Sequence, residues 1–256
     1  MQQNWKNKVV LISGGLGDIA LATALAFGRE GAWVALSDIH PQTTARPKLA
    51  LLENEGIPCA YYKADMGDAA AVQGWINCVV DEWQRLDVAI VNAATVTQKS
   101  IATITAQEWQ AELQVNLNGA FYLAQQAAVY FSDNKIPGNI VFLGSWAAHA
   151  VHPHIPAYCV AKAAVRMLCQ CMALEFAPHG IRVNEMAPGY VNAGLSKEVW
   201  EQQPELIEKA RLQVPLGGLI EAAEVAEQIL WICRSENRHL TGSSLLMDGG
   251  LSLLRP

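Results

Sequence analysis

The chain has 256 residues, 52% of them apolar, enough for a sizeable core in one large α/β domain or two small ones, which excludes a disordered chain. Its net charge of −6 excludes the basic stripe that a nucleic-acid binder needs. No uninterrupted apolar run approaches a membrane span, and the stretch from Met1 to Lys6 has no apolar leader core, so a soluble, cytoplasmic protein with no membrane partner is expected.

In chain order, Lys8–Ser13 reads as a buried strand and Ile19–Glu30 as a helix ending at Gly31. Trp33–Ser37 is a second strand. A helix is expected within Lys48–Glu55, its start delayed by Pro41 and Pro47. Pro58–Tyr62 reads as strand, Ala69–Trp83 as helix and Asp87–Asn92 as strand. Gln107–Tyr130 has continuous helical spacing, and Gly138–Gly144 is strand. Ala157–Ala177 is helix, closed by Pro178-His179-Gly180. Ile181–Met186 is strand, Ala222–Arg234 helix and Ser243–Met247 a last strand. Such alternation predicts a parallel sheet covered by helices on both faces. With no repeat, low-complexity tract or linker, one domain over residues 1–256 is expected. The stretch 191–214 breaks the rhythm with Trp200 and Pro204 and reads as a lid.

The first strand runs into Ser13-Gly14-Gly15-Leu16-Gly17-Asp18-Ile19-Ala20, and a helix follows. A Gly-rich turn between strand and helix lets backbone N–H groups approach a pyrophosphate. The next strand ends at Asp38, twenty positions after Asp18. A carboxylate there accepts hydrogen bonds from an adenosine ribose and repels a 2′-phosphate. No Lys or Arg lies in residues 13–20 or directly after Asp38, and His40 is the nearest cation in sequence. NAD is therefore expected over NADP. For each element alone, an ordinary βα turn or a surface acid is an equal alternative; together they favour a nucleotide.

Tyr158 and Lys162 are four apart on one helix face, and Ser145 precedes the tyrosine by thirteen positions. A phenol with a pKa of about 10 needs about 4 kcal/mol to act as a base near pH 7. One ammonium about 4 Å away supplies roughly that much at an effective dielectric of about 20. Ser145 can hold a carbonyl or alcohol oxygen while Tyr158 moves its proton. A Tyr-x-x-x-Lys pair by itself is a common coincidence of helical sequence.

These segments together resemble the short-chain dehydrogenase/reductase family over nearly the whole chain, from Lys8 to Leu251. The resemblance rests on the Gly-rich turn, Asp65, Val91-Asn92-Ala93-Ala94, Asn116, Ser145/Tyr158/Lys162, Pro188-Gly189, and Thr241-Gly242 with Asp248-Gly249-Gly250. It implies a Rossmann-type, doubly wound parallel sheet of about seven strands. It also implies reversible hydride transfer between nicotinamide and a secondary alcohol or ketone, without a metal. Tyr158 is then the acid/base, and Lys162 its pKa-lowering, ribose-binding partner. Ser145 positions the substrate oxygen, and Asn116 holds a helix distortion and a proton-relay water. The resemblance places the cofactor at Ser13, Gly14, Gly17, Asp18, Ile19, Asp38, Asp65, Met66, Asn92, Ala93, Tyr158, Lys162, Pro188, Gly189 and Val191. It further implies a homotetramer, or sometimes a dimer, with contacts from helices like 107–130 and 157–177 and the last strand.

The chain departs from the family pattern at several positions. Asp18 and Ala20 stand where glycines are usual, and Ala193 stands for a threonine. The Asp18 carboxylate is expected either to repel a pyrophosphate or to turn outward and cap the helix. Val91 and Ala94 replace an asparagine and a glycine. Glu185 interrupts an otherwise apolar strand, where it is neutral, paired or facing a cleft.

On the substrate side, the loop Trp146–Pro156 joins Ser145 to the catalytic helix. Trp146, Tyr190 and Trp200 offer apolar walls, and His152 or His154 a hydrogen bond, a mix that suits a sugar, polyol or cyclic alcohol. His149, His152 and His154 lack metal-ligand spacing, and no metal is expected. The six cysteines read as reduced packing thiols. Two alternatives stand beside an alcohol dehydrogenase: a 3-oxoacyl-thioester reductase, which Asp38 counts against, and a non-catalytic nucleotide-binding or scaffold protein.

Overall fold

The computed structural model describes residues 5–194, 197 and 205–254. Seven parallel strands form one sheet: β1 (Val9–Ser13), β2 (Trp33–Asp38), β3 (Cys59–Lys63), β4 (Val88–Val91), β5 (Asn139–Leu143), β6 (Arg182–Pro188) and β7 (Ser244–Met247). Their order across the sheet is β3-β2-β1-β4-β5-β6-β7. The chain winds outward from β1 to β3, then returns to the other side of β1 at β4. The carboxyl ends of β1 and β4 therefore flank the crevice where such sheets bind ligands. This is the doubly wound form the alternation predicts.

Strands buried on both faces are apolar throughout, and β1 is buried at every position. Alternate residues point to opposite layers. Val10, Ile12, Val34 and Leu36 pack with α1 (Asp18–Arg29), α2 (Gln42–Glu53) and α8 (Ala222–Cys233). Val9, Leu11, Ile140 and Val183 pack with α3 (Ala69–Trp83), α5 (Ala120–Asp133) and α6 (Pro156–Phe176). Each such buried aliphatic side chain contributes about 1.5–3 kcal/mol. The 24 residues Pro156–His179 are long and apolar enough, by length and composition, to cross a membrane. Lys162, Arg166 and Glu175 interrupt them, and Ala157, Ala161, Val165, Cys169, Met172 and Ala173 are buried in this fold.

Three elements differ from their sequence expectation. α2 starts at Gln42 and carries Pro47 inside it. Proline removes one N–H from the ladder, but Ala45, Leu49 and Leu52 form a buried face that holds the helix together. The expected continuous helix 107–130 is α4 (Ala106–Leu113), a π-helical segment (Gln114–Gly119) and then α5. A helix absent from the sequence expectation, α7 (Glu205–Gln213), lies within the stretch 191–214, while Trp200 and Pro204 lie outside the described residues.

Candidate active site

The Gly-rich turn is held by close packing. Gly14 has φ of 60°, and a Cβ there would lie 2.9 Å from the Ala93 Cα. A Cβ at Gly15 would lie 2.7 Å from that of Leu36. The buried Ser13 hydroxyl accepts from the N–H groups of Asn92 (3.0 Å) and Ala93 (3.1 Å). The Asn92 amide donates to the Ser13 carbonyl at 2.9 Å. Ser13 and Asn92 thus lock the ends of β1 and β4 together beneath the turn. Gly17 caps α1 with no side-chain hydrogen bond, so no side chain occupies the N–H groups of the first turn. That is a fit for a pyrophosphate.

Asp38 closes β2 beside this turn. Its carboxylate accepts from the Leu16 N–H at 3.3 Å and lies 3.8 Å from the His40 imidazole. Lys48, on α2, donates to the Leu16 carbonyl, which brings a cation near Asp38 that sequence spacing does not reveal. Asp18 does not cap α1. Its carboxylate crosses to the backbone N–H of Gly194 at 2.9 Å, which corrects the capping expectation. The exposed Asp65 accepts from the Gly67 N–H at 2.8 Å, and Met66 is buried against Gly119. Pro188 and Gly189 end β6, where the Gly189 N–H donates to Met247 at 2.8 Å. Val191 is buried in a bridge to Ile220. Ile19 packs against the core of the α1 layer.

Asn116 lies in the π segment, and its side chain exchanges two 2.8 Å hydrogen bonds with the backbone of Thr95. Its amide is thereby committed to fixing the loop after β4. Ser145 follows β5, and its hydroxyl accepts from the Ala147 N–H at 3.1 Å. Tyr158 and Lys162 stand one turn apart on α6. The Lys162 ammonium is buried, donates to the Leu143 carbonyl at 2.6 Å and lies 5.4 Å from the Tyr158 ring centre.

The protonation of this pair differs from the sequence expectation. Burial pushes the Tyr158 phenol up to about 12; the hydrogen bond with Ser145 opposes this, and the charge of Glu112 reinforces it. Burial pulls Lys162 down to about 8, against the attraction of Glu185. Desolvation by the packed helices is the largest influence on both groups, in place of a phenol brought near 7. At neutral pH Tyr158 is a proton donor.

The substrate side is aromatic. Trp146 meets His152 edge-on at 4.0 Å and Tyr190 at 5.1 Å between ring centres. Burial holds His152 below its ordinary pKa, which favours the neutral ring, and its Nε2 has no hydrogen-bond partner among the described residues. His149 turns instead to Arg166 (3.1 Å) and Ser244 (3.5 Å), and His154 sits at a left-handed φ of 71°. No group of three His, Cys, Asp or Glu suited to a metal ion occurs among the described residues. Sequence reasoning missed Glu112, which is buried and accepts from the Thr97 N–H at 2.8 Å. Its one signal was its position four residues before Asn116, on the same inward face.

The chain is similar in sequence and fold to known proteins. A family model described as enoyl-(acyl carrier protein) reductase matches residues 16–252. The 3beta-hydroxysteroid dehydrogenase 1 of Eggerthella lenta is 30% identical over 253 residues, covering 99% of this chain and 97% of that protein. The 3-oxoacyl-[acyl-carrier-protein] reductase of Thermotoga maritima is 30% identical over 248 residues, covering 96% and 98%. A crystal structure of a short-chain type dehydrogenase/reductase from Mycobacterium marinum superposes with a TM-score of 0.91 at 28% identity, covering 98% and 97%.

Proposed function

The chain belongs to the short-chain dehydrogenase/reductase family, and from that premise we propose that it is an NAD-dependent, cytoplasmic enzyme interconverting a secondary alcohol and its ketone. The observation that carries the reading is the convergence of Ser145, Tyr158 and Lys162 at the end of β5 and the start of α6.

NAD, when bound, supplies the acceptor and donor of the hydride. The Gly-rich turn and the open first turn of α1 would hold its pyrophosphate, Asp38 its adenosine ribose and Lys162 its nicotinamide ribose. Ser145 binds the substrate oxygen and Tyr158 exchanges a proton with that same oxygen. In the reductive direction the protonated phenol delivers its proton to the oxygen as the carbon gains hydride; in the oxidative direction the phenolate takes that proton back. Asn116 acts one step removed, by holding Thr95 and the loop beside the pocket.

The side chains beside Ser145 and Tyr158 suit a sugar, polyol or cyclic alcohol. Trp146 and Tyr190 offer flat apolar walls, and the unpartnered Nε2 of neutral His152 offers one hydrogen bond. The named activity of the Eggerthella lenta relative, on a hydroxysteroid, is in the same class. Residues 191–214, including α7, serve as the lid. The protein assembles as a homotetramer, or a dimer, through the exposed apolar residues Phe121 and Val129 on α5 and Met167 and Leu174 on α6.

The second reading, a 3-oxoacyl-thioester reductase, draws on Lys48 at the ribose end, a cation suited to the extra phosphate of NADP. Turnover of a panel of cyclic alcohols, polyols, sugars and 3-oxoacyl thioesters with each cofactor separates the two. Oxidation of a cyclic alcohol with NAD supports the proposal. Activity confined to the thioesters with NADPH replaces it, and no turnover with no cofactor binding ends it.

A further inference from the structure

Glu185 stands in the middle of β6, fully buried, and among the described residues neither carboxylate oxygen has a hydrogen bond of good geometry. An ionised carboxylate so placed is among the costliest groups a core can hold, and it calls for a reason. Strand alternation puts it with Val183 on the α6 side of the sheet. There it faces three residues that share one stripe of that helix, Lys162, Arg166 and Cys169, and it interacts electrostatically with all three. Its neighbours across the sheet are Phe142 on β5 and Ser244 on β7. Burial pushes its carboxyl above the ordinary carboxylate range, and the Ser244 hydroxyl and the charges of Lys162 and Arg166 oppose this by favouring the ionised form.

The carboxyl also occupies a defined space at the site. A Cβ on Gly144 would collide with the Glu185 Oε1, so the acid fills the room a side chain would take there. Gly144 separates Leu143, whose carbonyl receives the Lys162 ammonium, from Ser145. Of the two cations facing the acid, Arg166 is half-buried and hydrogen-bonded to His149, which also meets Ser244. Lys162 is buried and has a neutral carbonyl as its acceptor. The cation in need of a counter-charge is therefore Lys162.

We propose that Glu185 is a positioning residue that keeps the Lys162 ammonium charged, as the buried counter-charge behind Ser145 and Lys162. The inference rests on reading Tyr158 and Lys162 as the catalytic pair. Burial alone favours a neutral amine, and a neutral Lys162 no longer favours the phenolate of Tyr158. Retaining Glu185 would then trade core stability for the charge state of the site. A Glu185 that only filled space would be replaceable by glutamine without changing any titration.

The test compares the full-length protein with Glu185→Gln, and with Glu185→Met should the glutamine variant fail to fold. Nitrogen-15 NMR follows the Lys162 side-chain nitrogen through pH, its signal assigned by its loss in Lys162→Met. The expected result is a fall of about one pH unit or more in the Lys162 midpoint. In parallel, the alkaline fall of turnover should move to lower pH by a similar amount, with the KM for NAD unchanged. An unchanged Lys162 midpoint, or a loss of turnover equal at every pH, overturns the inference. A parent protein without turnover on any substrate defeats the dehydrogenase reading instead, and the NMR midpoint still decides whether Glu185 sets the charge of Lys162.

Discussion

The carboxylate of Asp18 accepts a hydrogen bond from the backbone N–H of Gly194 at 2.9 Å, joining the first residue of α1 to the loop beyond β6. Two parts of the nucleotide crevice are thereby latched across 176 residues of sequence. The same contact holds a negative charge at the helix start that an anion would approach. One neutral N–H offsets only part of that charge.

Asp18→Asn keeps an oxygen to accept from Gly194 and removes the charge. We expect NAD to bind about three- to tenfold more tightly, roughly 1 kcal/mol, in a direct titration. Asp18→Gly should show the same electrostatic gain and lose the latch, so limited proteolysis near Gly194 should quicken in that variant alone. Unchanged or weaker NAD binding by Asp18→Asn would mean that the carboxylate does not face the pyrophosphate.

At the ribose end, Asp38 and Lys48 flank Leu16 with opposite charges. Asp38→Ala should narrow the preference for NAD over NADP by about tenfold or more, or about 1.4 kcal/mol. Adding Lys48→Met to that variant should take back the gain for NADP, because the remaining cation is lost. Dissociation constants for both cofactors check this, and a preference untouched by Asp38→Ala would place the ribose elsewhere.

Glu112 bears on the pH dependence. Burial holds its carboxyl above the ordinary range despite the Thr97 N–H, and its charge helps raise Tyr158. Glu112→Gln should therefore lower the Tyr158 pKa and move the alkaline rise of alcohol oxidation to lower pH, by about half a unit to one unit. The stability effect has a definite sign. An acid whose folded pKa is raised contributes most below its unfolded pKa, and that contribution is lost as pH rises through the folded value. Thermal unfolding should accordingly show Glu112→Gln gaining on the parent as pH rises above the ordinary carboxylate range.

How much of this was legible in the sequence depends on the range of the contacts involved. Tyr158 and Lys162 share one helical turn and Ser145 follows the strand before it, so local spacing singled them out as candidates and the family resemblance gave them roles. The strands were readable because parallel strands buried on both faces are nearly continuous apolar runs, as Val9–Ile12 is. Pro47 misled, because the burial of Ala45, Leu49 and Leu52 that overrides it is a tertiary effect. The partners of Asp18 and Leu16 lie 176 and 32 residues away, and no local pattern announces them. The phenol of Tyr158 was expected near 7 from its lysine; its burial is created by other elements packing around it, and that desolvation prevails.

The most direct measurement is the turnover and NAD affinity of Tyr158→Phe beside the parent, on whichever substrate the panel identifies. The variant keeps the ring beside Lys162 and loses only the hydroxyl that exchanges the proton. Turnover should fall by about a hundredfold to ten-thousandfold, with the dissociation constant for NAD within about twofold of the parent. Turnover near the parent's level would contradict the assignment of Tyr158 as the acid and base of this site.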